Sequence, residues 1–140
     1  MKVLLSILFA LILHLVLQPL HSQEQAPKPV SKDQELIPWS AVQEQLKASN
    51  KPWLSLVERP SLSTGLYRLA VGSEDAQTPH RFDEIYYVIQ GKGTLFAGGE
   101  ELAMQRGSIA YVAREVEHRF HDIEEDLEVL VFFSKHEPKK

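Results

Sequence analysis

A chain of 140 residues with 15 Lys and Arg against 19 Asp and Glu has room for one domain and carries a formal charge of −4. No basic stripe interrupts that acidic balance, which argues against nucleic acid or an anionic membrane surface as a partner. The chain has no Cys, so no disulfide holds the fold, and a core that buries roughly 60–70% of the extended-chain surface has to do so alone.

The first 22 residues carry the pattern of a secretory signal peptide. Lys2 is the single charge, residues 3–17 are apolar apart from Ser6 and His14, Pro19 breaks the run, and the small Ser22 precedes a cut before Gln23. The apolar stretch is too short for a membrane span, and an uncleaved anchor is the alternative. The sequence therefore predicts a secreted or periplasmic protein, with no membrane attachment after cleavage. Residues 23–38 are polar, contain Pro27 and Pro29, and are expected to form a flexible arm. Ser40 and Gln43 have the spacing of a capping box and predict a short helix over residues 41–49. Val42 and Leu46 share one face of it, Asn50 closes it, and Trp39 stands just before the cap, placed to dock the helix on a sheet.

From Trp53 onward the pattern is one of strands, expected at residues 53–58, 65–71, 84–90, 94–97, 101–104, 108–112, 118–123 and 127–133. Turn signals separate them: Gly91-Lys92-Gly93, Gly98-Gly99, Arg106-Gly107 and the acidic Glu124-Glu125-Asp126. Gly98-Gly99 suits a primed two-residue hairpin. Short strands at near-regular spacing, with no helix between them, indicate an all-β barrel or sandwich. Several strands are apolar on both faces. In Ile85-Tyr86-Tyr87-Val88-Ile89 neither alternate set is polar, and Leu130 and Phe132 oppose Val129, Val131 and Phe133. Such strands need cover outside as well as inside, from the N-terminal segment and from a second copy of the chain, so a homodimer is expected. Residues 135–140, His136 among them, are read as a solvated tail.

Two segments hold most of the chemistry: His80-Arg81-Phe82-Asp83-Glu84 and Glu117-His118-Arg119-Phe120-His121. Two imidazoles and a carboxylate make a workable ligand set for a divalent transition metal. On one straight strand the α-carbons of His80 and Glu84 would stand about 13 Å apart, whereas donors sharing a metal lie within about 3–4 Å of each other. The site therefore requires a bend through Arg81-Phe82-Asp83. Alternation puts His118, Phe120 and Asp122 on one face of the last strand and Arg119 and His121 on the other. His121 is then at most an outer partner of the set, and Asp83 a rim residue. Glu84 as an exposed charge and His118 as a hydrogen-bonded interior imidazole are the plainer alternatives. Tyr86, Tyr87, Tyr111, Phe96 and Phe120 are expected to fill the core or the pocket walls, a mixture suited to an aromatic or sugar-like ligand. Nucleophilic Cys, the zinc-protease helix, the P-loop and the dinucleotide fingerprint are all missing.

Gln77-Thr78-Pro79-His80, the run from Asp83 to Gly93, Gly107-Ser108 and Glu117-His118-Arg119-Phe120-His121 together resemble the two signature motifs of the cupin superfamily, in its small single-domain form. The likeness extends over residues 62–133. It implies a double-stranded β-helix, or jelly-roll barrel, in a domain of residues 39–134 that opens with the short helix. Position by position, His80 corresponds to the second His of the first motif, Glu84 to its carboxylate and Gly91 to its closing glycine. Gly107 opens the second motif and His118 is its ligand. Thr78 stands where the first His would be, and Ala113 and Glu115 replace the usual proline and glycine. What remains is His80, Glu84 and His118, a 2-His-1-carboxylate composition that leaves coordination positions open.

The resemblance implies a protein binding one divalent metal (Fe, Mn, Zn or Ni) in the barrel and acting on a small molecule, with dioxygenase, isomerase and lyase chemistries all open, and the signal-peptide pattern adds export. A non-catalytic cupin binding a sugar or organic acid without metal is the alternative, and a dimerising domain with a vestigial pocket is the third reading.

Overall fold

The computed structural model describes residues 34–136. The predicted signal peptide, residues 23–33 of the predicted arm and residues 137–140 of the tail lie outside the described residues. Among the described residues no helix is long and apolar enough to cross a membrane.

Helix α1 (Trp39–Ala48) begins two residues earlier than the capping-box spacing predicts. Pro38 is its N-cap, with φ −63° and no capping side chain, and its carbonyl accepts from the backbone N–H groups of Ala41 at 3.0 Å and Val42 at 3.3 Å. Ser40 therefore lies inside the first turn and cannot cap it, and Trp39 becomes the first helical residue. Ser49, not Asn50, closes the helix. The exposed carbonyls at that end are taken up by Arg68, whose guanidinium donates to Ser49 O at 2.9 Å, to Lys51 O at 3.1 Å and to Leu46 O at 3.4 Å. A cation there also meets the negative end of the helix dipole.

Six strands follow: β1 (Trp53–Glu58), β2 (Leu62–Leu69), β3 (Asp83–Ala97), β4 (Glu100–Gln105), β5 (Ile109–Val112) and β6 (His118–Ser134). All pairings are antiparallel, in the order β1-β2-β6-β3-β4, with β5 also on β3. The predicted hairpin is present: Ala97 pairs with Glu100 across Gly98 and Gly99, both at positive φ.

Two predicted breaks are not breaks. β3 runs through Gly91-Lys92-Gly93 and β6 runs through Glu124-Glu125-Asp126. The two strands stay paired along their length and absorb the turn-like sequence as three register shifts between Val88 and Thr94. Gly91, at φ +89°, makes this possible, because a Cβ there would stand 2.2 Å from the carbonyl oxygen of Asp126. Beyond the shifts β3 exchanges one neighbour for another. Its first half pairs with β5 and its second half with β4, so the long strands bend from one wall of the roll into the other, as bulged strands do. This is the all-β architecture that the strand pattern predicts, in the jelly-roll form that the resemblance implies.

The inward positions form a core of Tyr86, Val88, Leu95, Met104, Val112, Phe120, Ile123, Leu127, Val129 and Val131, with Leu69 and Ala110. The expected alternation of β6 holds through His118 and Phe120 but fails at Asp122. That residue takes φ +47° and turns outward, and Ile123 enters the core in its place. On the outer face Val42 and Leu46 of α1 cover Leu66, with Leu54, Leu56 and Ile89 packed alongside. The helix is thus docked by these two aliphatics, while Trp39 remains 42% exposed. Outside that cover, Ile85, Tyr87, Ile109 and Tyr111 stand exposed. Tyr87 and Tyr111 are therefore not core or pocket residues; they lie on the outward side of β3 and β5.

Candidate metal centre

The loop of residues 70–82 carries the chain from β2 to β3 and delivers His80. Asp75 fixes it: its carboxylate accepts from the Tyr67 hydroxyl at 2.6 Å, the Gln77 backbone N–H at 3.0 Å, the Gln77 side-chain amide at 2.7 Å and the Phe120 N–H at 2.7 Å. Burial, then the Asp75 carboxylate, holds the Tyr67 phenol well above its ordinary range, so it stays a donor. After Pro79 the chain bends at Arg81-Phe82 and β3 starts at Asp83, which is the turn the ligand spacing requires.

Two contacts join this loop to the one that leads into β6. The backbone N–H of Glu115 donates to His80 O at 2.7 Å. Arg114 pairs with Asp83 at 2.8 Å, and its own backbone N–H donates to the same carboxylate at 3.0 Å. The Arg114 hydrogen bonds hold the Asp83 carboxyl down at about 2. Glu115 adopts φ +62°, the left-handed conformation that glycine takes most readily, at the position where the motif has its glycine.

Glu84 is the first inward residue of β3 and His118 the first residue of β6; they are 1% and 2% exposed. His80 Nδ1 lies 2.6 Å from Glu84 Oε1, and the Tyr86 hydroxyl donates to Glu84 Oε2 at 2.6 Å. Burial, then the charge of Glu84, pushes the Tyr86 phenol far up from its ordinary value, and it remains protonated. The third member is oriented by backbone. His118 Nδ1 is 2.8 Å from Val116 O. A carbonyl can only accept, so Nδ1 carries a proton, and in a neutral ring Nε2 is then a bare lone pair. That Nε2 is buried, has no hydrogen-bond partner among the described residues, and faces Glu84 Oε1 at 3.7 Å. One donor atom from each of His80, Glu84 and His118 lies within 4.8 Å of the others.

A cavity of about 440 Å³ opens beside His80, walled by Trp53, Tyr67, Phe82 and Phe133, with Gln77, Ser63, Glu58 and Lys135 at its polar points. Trp53 reaches this wall because its indole lies against Gly65, where a Cβ would stand 2.2 Å from Trp53 Cζ2. Other sequence candidates fall elsewhere. His121 is turned away from the trio and bonds Glu101 at 2.7 Å and Asp122 at 3.1 Å, and His136 is exposed. Thr78 is exposed too, and the preceding Gln77 turns inward instead, its Oε1 3.5 Å from the Tyr86 hydroxyl. Neither Gln77 nor Asp75 is marked by the sequence as a site residue.

An antiparallel jelly roll with two imidazoles and a buried carboxylate grouped at one mouth defines the class of protein. The comparisons agree. The family model described as "Cupin domain" matches residues 65–133. An uncharacterised protein of Streptomyces coelicolor is 42% identical over 87 residues, 62% of this chain and 83% of that one. Among solved structures, KdgF from Halomonas sp. is similar with a TM-score of 0.56 at 22% identity, over 64% of this chain and 84% of that one. Salicylate 1,2-dioxygenase from Pseudoaminobacter salicylatoxidans, in adducts with gentisate, gives a TM-score of 0.63 at 18% identity over 78% of this chain; the chain spans 38% of the dioxygenase's length. The chain belongs to the cupin family.

Proposed function

We propose that this cupin is exported, that it holds one divalent transition metal through His80, Glu84 and His118, and that it works on a small molecule admitted by the adjoining cavity. The observation that carries the reading is His118 Nε2. That atom is sealed from water, has no hydrogen-bond partner among the described residues and faces a carboxylate oxygen at 3.7 Å; in a neutral ring it is an acceptor left without a partner, which costs about 1–3 kcal/mol. A cation shared by the two removes that cost. The donors suit Fe, Mn, Zn and Ni alike. A bound ion of this kind polarises a carbonyl, activates water or binds dioxygen, and three protein ligands leave positions open for that chemistry. Tyr86 and Val116 hold Glu84 and His118 in orientation, as outer partners of metal ligands do.

A second reading has one observation in its favour. The His80 and Tyr86 hydrogen bonds, both 2.6 Å, already satisfy Glu84 without a cation, which supports a metal-free pocket binding a small polar molecule.

Elemental analysis of the purified protein separates the two. The metal reading expects near-stoichiometric Fe, Mn, Zn or Ni, its loss in H80A, E84A and H118A, and an unchanged far-ultraviolet spectrum in each. Wild-type protein that retains none of these metals after reconstitution sinks it. Export is tested separately: the secreted protein should begin at Gln23 by mass spectrometry, and a mature chain that still begins at Met1 contradicts it. The same reading takes the protein as a homodimer, by way of the bare apolar face on β3 and β5.

A further inference from the structure

The cavity beside His80 carries a selectivity of its own. Its walls are rings. Trp53 and Phe133 meet edge to face with centroids 5.9 Å apart, and Phe133 meets His80 in the same manner at 5.3 Å. Phe82 completes the wall. Flat apolar faces with few polar points fix a flat ligand. A sugar can stack a C–H face on such rings too, but its several hydroxyls also need polar partners, which are the smaller part of this lining. The Gln77 amide is already committed to Asp75.

The polar end is asymmetric in a telling way. The Lys135 side chain is 19% exposed, while the Glu58 carboxylate that pairs with it is 66% exposed. The backbone of Lys135 is fixed by its N–H to Ser61 O at 2.9 Å, and from that fixed base its four-carbon stem brings the ammonium to the cavity lining. An ammonium has three donors, and Glu58 can be exchanged or supplemented by an incoming anion because it stands largely in water. With a divalent ion on Glu84 the far end of the cavity also carries a surplus positive charge.

We propose that the ligand is an aromatic acid: a planar ring held between Trp53, Phe82 and Phe133, with its carboxylate turned to Lys135 and its opposite edge towards His80. This rests on the reading of the cavity as the entrance to the proposed centre.

The experiment is a calorimetric titration of the purified protein, both chelator-treated and metal-loaded, with benzoate, 4-hydroxycinnamate and 2-naphthoate, and with benzamide and glucuronate as neutral and non-aromatic comparators. At least one aromatic acid should bind in both forms, more tightly than either comparator. K135M should weaken it by about tenfold, the worth of a charge-assisted hydrogen bond, and leave benzamide unchanged. E58Q, which frees the ammonium, should strengthen it. The opposite signs matter, since a purely structural ion pair predicts that both variants weaken binding alike. Equal loss in K135M and E58Q, glucuronate binding as tightly as the acids, or no binding by any aromatic acid at millimolar concentration overturns the proposal. Metal absent with acid binding intact removes the metal reading alone; metal present with no acid binding removes this inference alone.

Discussion

Tyr86 is the residue on which the orientation of Glu84 turns. Its hydroxyl is buried beside a carboxylate, and both burial and that charge keep it protonated, so it presents a permanent donor to Oε2. Y86F removes only that donor. Outer partners of metal ligands are typically worth 10–100-fold in affinity, and Y86F should lose about tenfold in a chelator-competition titration; unchanged affinity would show that Glu84 is held without it. His121 has a different kind of role. Its hydrogen bond to Glu101, assisted by Asp122, raises its pKa above the ordinary 6.5. The folded state therefore favours the protonated ring, and the resulting stability is present in full below 6.5 and is lost as pH rises through the raised value. H121Q should melt below wild type at about pH 5.5, with the gap closing towards about pH 8.5; a gap that widens with pH contradicts the assignment. The trio itself was legible in the sequence because imidazoles are few and their motif spacing is distinctive. Asp75 and Gln77 were not. They are ordinary loop polars whose importance comes from bonds that join the loop to Tyr67 and Tyr86 on the neighbouring strands and, across 45 residues, to Phe120, which no local pattern encodes.

Among the elements, β1 could be read to the residue, since Trp53–Glu58 is bounded by polar and proline-containing segments. β3 and β6 could not. Gly91-Lys92-Gly93 and Glu124-Glu125-Asp126 have turn composition, yet they face one another across the ladder, with Lys92 opposite Glu125 and its ammonium 2.6 Å from Glu124. Opposed charges and a register shift accommodate in a paired bend what each segment alone would spend on a turn. The helix start was misread for a related reason: a capping-box spacing is informative only if the preceding residue is not itself able to start the helix, and Pro38 is. The bend makes a sharp prediction at Gly91. Alanine there suffers both the left-handed backbone and a contact with the main chain of β6 at 2.2 Å, which cannot rotate away. G91A should cost about 3 kcal/mol or more in urea unfolding. Gly72 supplies the control, having φ +72° but nothing within 4 Å of the added carbon, so G72A should cost only about 1 kcal/mol. Equal costs at the two sites would mean that the strands are free to separate at the bend.

For the whole molecule the consequence of two-sided apolar strands is a sheet with only part of its outer face covered. Helix α1 shelters Leu66 and its neighbours, but it does not reach the rows in which Ile85 lies between Tyr111 and Phe132 and Tyr87 lies between Ile109 and Leu130. Ile109 is 72% and Tyr111 63% exposed. Contiguous large apolar side chains on a sheet face mark an interaction surface more often than chance exposure, and a two-fold contact would set these rows against their own copies. Each such side chain taken fully from water contributes about 1.5–3 kcal/mol. Opposing this is a like charge of −5 on each mature copy, 14 basic against 19 acidic residues once Lys2 is removed with the predicted signal peptide, which salt screens within about 10 Å at 0.1 M. Association through this face should therefore tighten as salt is raised, the reverse of an interface held by ion pairs. Light scattering coupled to size exclusion should find a dimer for the wild type and a monomer for the double variant Y87K/I109K, with the metal content of the two unchanged because both side chains stand on the outer face of the sheet. A wild type that is monomeric at tens of micromolar in high salt, or a double variant that remains dimeric, would place the association on another surface or abolish it, and the bare face would then need a different occupant.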